Sequence, residues 1–289
     1  MIATETTWVR VTKRRPCPIC ERLGWCGFSA DGAVVHCMRV PSDHPTKAGG
    51  WIHRLTEPMG SMPPPRRARR PAERHRIDCV ALMQRYAGDT APGSVRRLAG
   101  LLGVSCVSLK RLGVAWAAEH HAWACPMYDA DMNIIGLRLR DADGKKWAVR
   151  GSRNGLFVPD AGLPEQCELV LVAEGPTDVA ALLDLGFCAI GRASCSGQVD
   201  MLVDVLYRRN VVIVADRDEA KKRPDGSEFY PGQEGAERLA EALFGRARTV
   251  KVIKPLQGKD AREWKLAGAT GDIISTVIRN SYYWRPKNG

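Results

Sequence analysis

No run of the sequence is long and apolar enough to cross a membrane, and its opening residues, Met1-Ile-Ala-Thr-Glu-Thr-Thr7, are too polar for a secretory leader. No membrane association is expected, and the protein is placed in the cytoplasm. In that reducing compartment its ten cysteines are expected to be thiols or metal ligands rather than a disulfide framework. No Gly-x-x-x-x-Gly-Lys-Ser/Thr occurs, so the chain carries no P-loop motor. Acidic charge is also short: 32 Asp and Glu stand against 43 Lys and Arg, a formal net charge of +11. That balance suits a polyanionic partner, because Lys and Arg release counterions from phosphates. The 289 residues, 45% of them hydrophobic, leave room for two or three compact units.

What is present is organised around residues 168–219. Glu168-Leu-Val-Leu-Val-Ala173 reads as a buried strand and runs straight into Glu174-Gly-Pro-Thr-Asp178. Gly175 permits a tight turn, Pro176 suits the first turn of a helix, and Val179, Leu182 and Leu183 continue at helical spacing. A second apolar strand, Asn210-Val-Val-Ile-Val-Ala215, ends in Asp216-Arg-Asp218, whose carboxylates lie two residues apart and so share a face. Glu174, Asp216 and Asp218 thus meet at the carboxyl edge of one sheet, where an open α/β sheet binds its ligand. Close carboxylates repel, and an all-oxygen cluster suits Mg²⁺ or Mn²⁺, which accept substrate phosphates as further ligands. Helix caps and solvated strand ends are the plainer alternative.

Four of the cysteines cluster near the start, as Cys17-Pro-Ile-Cys20, Cys26 and Cys37. A Cys-x-x-Cys knuckle lets two thiolates reach one ion, and a hairpin through Val34-Val35 returns the rest of a tetrahedral zinc site. Cys17, Cys20, Cys26 and Cys37 are the expected ligands, with His36 the substitute if Cys26 points away. Adjacent residues on a strand face opposite sides, so His36 and Cys37 are not both expected to bind. Around them Trp8, Lys13, Arg15, Arg39, Trp51 and Arg54 mix cations with aromatics, as single-strand binding demands. Trp8, Trp25 and Trp51 either serve that surface or fill a small core. The remaining cysteines, Cys79, Cys106, Cys125, Cys167, Cys188 and Cys195, read as small core or loop residues.

Between 57 and 76, Pro63 to Pro65, Pro71 and six arginines forbid regular structure and repel one another, giving an extended linker. From Ile77 to Gly113 the pattern is helical. Trp123-Ala-Cys-Pro-Met-Tyr128, Ile134 to Arg140 and Lys145 to Arg150 then read as an antiparallel meander, with Arg138 and Arg140 on one face. The end, Ser281-Tyr-Tyr-Trp-Arg-Pro-Lys-Asn-Gly289, is aromatic and basic and docks on the core or on a partner.

Residues 165–282 resemble the Toprim domain of bacterial-type primases, topoisomerases and some nucleases. Glu174, Gly175 and Asp178 match its first motif and Asp216 and Asp218 its second. Phe187 to Ile190 fits the intervening strand, and Gly258-Lys-Asp-Ala-Arg-Glu263 is similar to an element of the primase versions. The cysteine cluster resembles the zinc-binding domain of primases, with Cys26 in a pattern whose common form has a histidine. Ile135 to Arg140 and Lys146-Trp147 are similar to elements of the primase catalytic core, which carry over Arg140 and Lys146.

The resemblance implies an α/β chain: a small zinc-ribbon-like β domain (1–56), the linker (57–76), the amino-terminal part of a primase-like α+β core (77–162), and a Rossmann-like, mainly parallel Toprim domain with its tail (163–289). It implies a DNA primase, copying single-stranded DNA from nucleoside triphosphates into short RNA primers, with structural Zn²⁺ and catalytic Mg²⁺ or Mn²⁺. In that enzyme Asp216 and Asp218 hold metal, Glu174 completes the cluster or takes a proton, and Asp178 assists. Arg138, Arg140, Lys146, Lys259 and Asp260 line the nucleotide and template site, and a separate replicative helicase is the expected partner. A Toprim nuclease and a non-catalytic single-strand-binding or helicase-loading factor are the alternatives.

Overall fold

The computed structural model describes residues 8–13, 15–46, 49–55, 77–223 and 225–286, so the 57–76 linker lies outside the described residues. The chain divides into two compact units, 1–74 and 75–289. Among the described residues no helix is long and apolar enough to cross a membrane.

The first unit is a four-stranded antiparallel sheet of β1 (Trp8–Arg10), β2 (Gly27–Ser29), β3 (Val34–Cys37) and β4 (Trp51–Arg54), in that order. Burial alternates along β3, so Val35 and Cys37 point inward and His36 outward. Among the described residues the core is Val11, Phe28, Val35 and three of the cysteines, with Phe28 its one ring. Trp8 and Trp25 are exposed at 43% and 72%, and Trp51 is half-buried, so the tryptophans belong to the surface.

The second unit opens with three helices, α1 (Cys79–Asp89), α2 (Ser94–Leu102) and α3 (Cys106–Arg111). Asp78 and Ser105 cap the first and third, each accepting a backbone N–H three residues on. An antiparallel group follows: β5 (Ala115–Ala117), β6 (Ala122–Tyr128), β7 (Ile134–Arg140), β8 (Lys146–Ala148) and β9 (Leu156–Phe157). Then come β10 (Leu169–Glu174), α4 (Pro176–Asp184), β11 (Cys188–Arg192), α5 (Val199–Val205) and β12 (Asn210–Val214). A small hairpin of β13 (Lys221–Lys222) and β14 (Glu228–Phe229) precedes α6 (Pro231–Leu243), β15 (Thr249–Ile253), α7 (Ala261–Leu266) and α8 (Gly271–Asn280).

Nine of these strands form one sheet in the order β15-β12-β10-β11-β9-β6-β7-β8, with β5 paired to β6. The first four are parallel and the rest antiparallel. The parallel strands are apolar on both faces, as helices on both sides require. Leu171, Ala173, Val212 and Val214 pack toward α2, α4, α7 and α8, while Val170, Val172, Val211 and Ile213 pack toward α5 and α6. The tail adds a bridge from Tyr283 to Lys251, and the Trp284 N–H donates to the Val250 carbonyl at 2.8 Å. It therefore docks on the core.

One sequence expectation is corrected. Cys167 and Cys188 are not lone thiols but form a disulfide, with Cα atoms 5.9 Å apart. Residues 21 apart in sequence meet because β10 and β11 are parallel neighbours with Val170 opposite Cys188.

The helical segment is held to the parallel part by a buried charge. Asp184, at the end of α4, accepts from Lys265 Nζ (2.7 Å), Ser108 Oγ (2.6 Å) and the Ser105 N–H (2.7 Å). Burial alone would raise its carboxyl, but the Lys265 ammonium and the two serines hold it below the ordinary carboxylate range. Its contribution is therefore present above the unfolded carboxylate pKa and is lost as pH falls through the depressed folded value. Asp184→Ala should destabilise the protein by about 3 kcal/mol, since it strands a partly buried ammonium. Urea unfolding should show a lower midpoint with unchanged slope, and the gap from the wild type should close at acid pH.

Candidate functional site

The chain leaves β10 through α4 to reach β11 on one side, then returns through α5 to β12 on the other side of β10. The strand order therefore reverses between β10 and β12, and a crevice opens at their carboxyl ends. Glu174 ends β10. Gly175 follows with φ 93° and ψ 161°, a conformation strained for any residue with a Cβ, and Pro176 starts α4. The turn places Asp178 in the first helical turn, where it is 4% exposed and its Oδ1 accepts the Arg262 N–H at 3.1 Å. Asp216 and Asp218 follow β12, facing Glu174.

Two further segments close the crevice. The loop after β15 runs beside the aspartates: the Arg217 N–H donates to the Lys259 carbonyl at 2.7 Å, and Lys259 Nζ lies 3.2 Å from Asp218 Oδ1. Asp260 caps α7 by accepting the Glu263 N–H at 2.8 Å. On the other side, the Gly232 N–H donates to Asp218 Oδ2 at 2.7 Å. A Cβ on Gly232 would meet Asp218 Oδ2 at 2.9 Å and the Asp216 Cβ at 3.0 Å, so this approach requires glycine.

The crowding shows in the acidities. Burial, then the charges of Glu174, Asp260 and Asp218, push Asp216 up to about 7. Burial, Asp260 and Asp216 hold Asp178 well above the usual range. Glu174 is raised by burial and Asp218, against the opposing pull of Arg192. Such an all-oxygen cluster is relieved either by protons or by a hard divalent cation.

Cations expected from the sequence gather nearby. Arg138 and Arg140 share one face of β7, and Lys146 sits directly across from Arg140 on β8. All three line one cleft with Pro176 and Thr177, at the start of α4. Arg138 is tethered to Asn154 Oδ1 at 3.2 Å and to the Ala193 carbonyl at 3.4 Å. Arg140 and Lys146 both lie within electrostatic reach of Asp178. Lys259 is already engaged with Asp218.

One residue had no signal in the sequence. Arg192 ends β11 directly beside Glu174, is only 4% exposed, and has an Nη1 with no hydrogen-bond partner among the described residues. Read from sequence it falls in a polar loop; only the parallel register puts it on the site. Gln233 Oε1, in the first turn of α6, is likewise buried without a partner. The orphaned donor thus lies beside Glu174, and the orphaned acceptor belongs to the residue after Gly232, whose N–H reaches Asp218.

In the first unit Cys17, Cys20, Cys26 and Cys37 bring their sulfurs within 4.8 Å of one another. The Cys20–Cys26 and Cys26–Cys37 separations are 3.8 and 4.0 Å. A tetrahedral zinc with bonds of about 2.3 Å demands edges of about 3.8 Å, so the cluster fits that ion. Backbone N–H groups of Met38 and Val40 donate to Cys26 and Cys37 at 3.4 Å, and Arg39 reaches Cys20 and Cys26. Burial pushes the Cys17 thiol up to about 12, so four thiolates here need a cation. His36 is engaged elsewhere, its Nε2 2.7 Å from the Gly49 carbonyl and 3.2 Å from Thr46 Oγ1. Cys26, not His36, completes the set.

No protein-family model matches the chain, and no curated protein matches it. Solved structures do. The Escherichia coli primase catalytic core superposes with a TM-score of 0.54 at 16% identity, covering 71% of this chain and 79% of that one. A DnaG primase catalytic domain bound to single-stranded DNA gives 0.54 at 16%, over 71% and 78%. The Aquifex aeolicus primase, with its zinc-binding and RNA polymerase domains, gives 0.55 at 13%, over 71% and 60%. The chain therefore has the fold of bacterial primase catalytic cores, preceded by a four-cysteine cluster that fits a zinc ribbon.

The zinc assignment has a direct check. The purified protein should carry one zinc per chain by elemental analysis, Cys26→Ala should lose it, and His36→Ala should keep it.

Proposed function

We propose that the chain is a DNA primase that makes short RNA primers on single-stranded DNA, and that residues 163–289 act as its Toprim domain. The observation that carries this reading is the meeting of Glu174, Asp178, Asp216 and Asp218 at the reversal between β10 and β12, beside the Arg138–Arg140–Lys146 cleft. The primase-like fold supports it.

The donor set fits Mg²⁺ or Mn²⁺: it is all oxygen, and its members are crowded enough that burial and mutual charge raise Asp178 and Asp216. When bound, such an ion supplies Lewis-acid stabilisation of the reacting phosphate. Asp216 and Asp218 would hold it, with Asp178 locking the start of α4 against α7 and tuning their charge. In the reaction the primer 3′-oxygen bonds to the α-phosphorus of a nucleoside triphosphate and pyrophosphate leaves. Glu174, its carboxyl already raised by burial, is suited to take the proton from the 3′-hydroxyl. Arg140 and Lys146 would grip the triphosphate and Arg138, fixed by Asn154, the template strand. Lys259 and Asp260 hold the far wall, where Lys259, 3.2 Å from Asp218 Oδ1, keeps that carboxylate aimed. The zinc unit would present template, raising its local concentration through the linker. A separate replicative helicase is the expected source of single-stranded template.

Incubated with nucleoside triphosphates and Mn²⁺ or Mg²⁺ on unprimed single-stranded DNA, the protein should make short RNA. Asp216→Asn/Asp218→Asn should lower the yield on the order of 10²-fold or more. Template cleavage in place of synthesis would mark a nuclease instead; DNA binding with neither activity would mark a loading factor.

The acidity of Asp216 adds a second expectation. Below about 7 its carboxyl holds a proton that a cation must displace, and above it the bare acids repel until a cation arrives. The rise in melting temperature on adding Mn²⁺ should therefore be larger at pH 8 than at pH 6. An equal rise at both would remove Asp216 from the metal site.

A further inference from the structure

The amino ends of β12 and β15, on the opposite edge of the sheet from the acids, carry an arrangement the catalytic reading does not use. The turn before β12 holds Tyr207 and Arg208, and the turn before β15 holds Phe244, Arg246 and Arg248. The two turns are stapled side by side: the Arg208 N–H donates to the Arg246 carbonyl at 3.0 Å, and the Arg248 N–H to the Arg209 carbonyl at 2.9 Å. A third segment joins them, because the tail lies on β15 and stacks Trp284 edge-on against Phe244 at 5.9 Å. That brings Tyr283 and Arg285 to the same edge.

Arg208, Arg246, Arg248 and Arg285 are all exposed, and none is in an ion pair among the described residues. Arg209, by contrast, is spent on the carbonyls of Pro164 and Cys167 and only holds the turn in place. Between the free cations stand rings: Tyr207 is 56% exposed, Phe244 47% and Tyr283 59%. Arg208 lies 5.9 Å over the Tyr207 ring, and Lys251 Nζ, which donates to the Ile278 carbonyl at 2.6 Å, lies 4.7 Å over the Tyr283 ring and holds it, so exposed arginines and rings alternate across three segments. Of the exposed carboxylates on the helices leading into the turns, Asp204 and Glu241 sit about one helical turn back, and Glu237 is occupied by the Trp284 Nε1–H at 2.7 Å.

Solvated arginines are ordinary on a chain of +11 charge, but they are not ordinarily interleaved with exposed rings. Cations that follow a phosphate backbone and aromatic faces that accept unstacked bases are the two components of a single-strand site. An acidic protein surface would use the charges and leave the rings unemployed. We infer that this edge is a second binding surface for single-stranded nucleic acid, separate from the acid-lined crevice. Thirteen-residue α6 runs from one edge to the other and spans about 20 Å, which sets the distance between the two sites. The inference goes beyond the primase reading, from which it takes only the kind of strand.

The test uses the full chain and a fluorescent oligothymidylate, with binding followed by anisotropy across a salt series. Each lost contact to a single-strand phosphate flattens the slope of log K against log salt by about 0.7. Arg208→Ala/Arg246→Ala/Arg248→Ala should flatten it by about 2 and weaken binding at least tenfold near 0.1 M salt, with an unchanged melting temperature. Tyr207→Ala should weaken binding without changing the slope, the mark of a stacking contact. In the wild type, photo-crosslinking with iodouracil-substituted DNA should label the peptides holding Tyr207, Phe244 or Tyr283. An unchanged slope and affinity in the triple variant overturns the inference, as does a wild type that binds no oligonucleotide. So does a triple variant that keeps DNA and loses polyglutamate, which would make the edge a site for acidic protein. Primer synthesis by a protein whose slope ignores the triple variant would sink the edge alone; a flattened slope without primer synthesis would sink only the primase reading.

Discussion

Carboxylates that repel one another in a half-buried crevice are the constraint on which the second unit depends. Bringing Glu174, Asp178, Asp216 and Asp218 together is unfavourable for the fold, and the acidities of Asp178 and Asp216 register that cost. Everything around them offsets part of it. Lys259 and the Gly232 N–H attend Asp218, the Arg262 N–H attends Asp178, and Arg192 is buried beside Glu174. What is left uncompensated is the part a ligand can relieve. A site whose strain is lowered only by its ligand is preorganised for that ligand.

The two units solve the same problem with different donors. In the first, four thiols meet at the spacing of a closed tetrahedron, and their N–H···S bonds and Arg39 complete the shell. Such a site holds a small sheet together and has no open position for chemistry. In the second, hard oxygens from separate segments meet at the open carboxyl edge of a sheet. The hydrophobic core of the second unit can carry a strained site because it is large: two continuous apolar layers cover both faces of the parallel strands. The core of the first unit is a handful of side chains, so its metal ligands double as its interior.

The acids were legible because each follows an apolar strand without a gap, and strand ends are where a parallel sheet opens. The thiol cluster was legible from spacing, and the meeting of Cys26 with the other three sulfurs, with His36 turned outward on β3, decided Cys26 over His36. The meander with Arg138, Arg140 and Lys146 was legible from its turns. Arg192 was not, since its place beside Glu174 comes from the pairing of β10 with β11, which no local pattern encodes. The same holds for Cys167 and Cys188. The β13–β14 hairpin escaped notice because its paired residues, Lys221-Lys222 and Glu228-Phe229, are too short and polar to alternate. The exposed tryptophans of the first unit follow from its size rather than from any motif.

The sheet also has ends. At one, β8 is three residues long, too short to recruit a stranger. At the other, β15 would offer a full row of unpaired backbone groups, and the tail from Tyr283 to Trp284 lies along it. That segment therefore acts as a guard against templated self-association: a shortened chain ending at Asn280 would expose the five-residue edge strand Thr249–Ile253 to its own copies. Resistance to edge-to-edge pairing thus rests on the segment from Tyr283 to Trp284 as well as on charge.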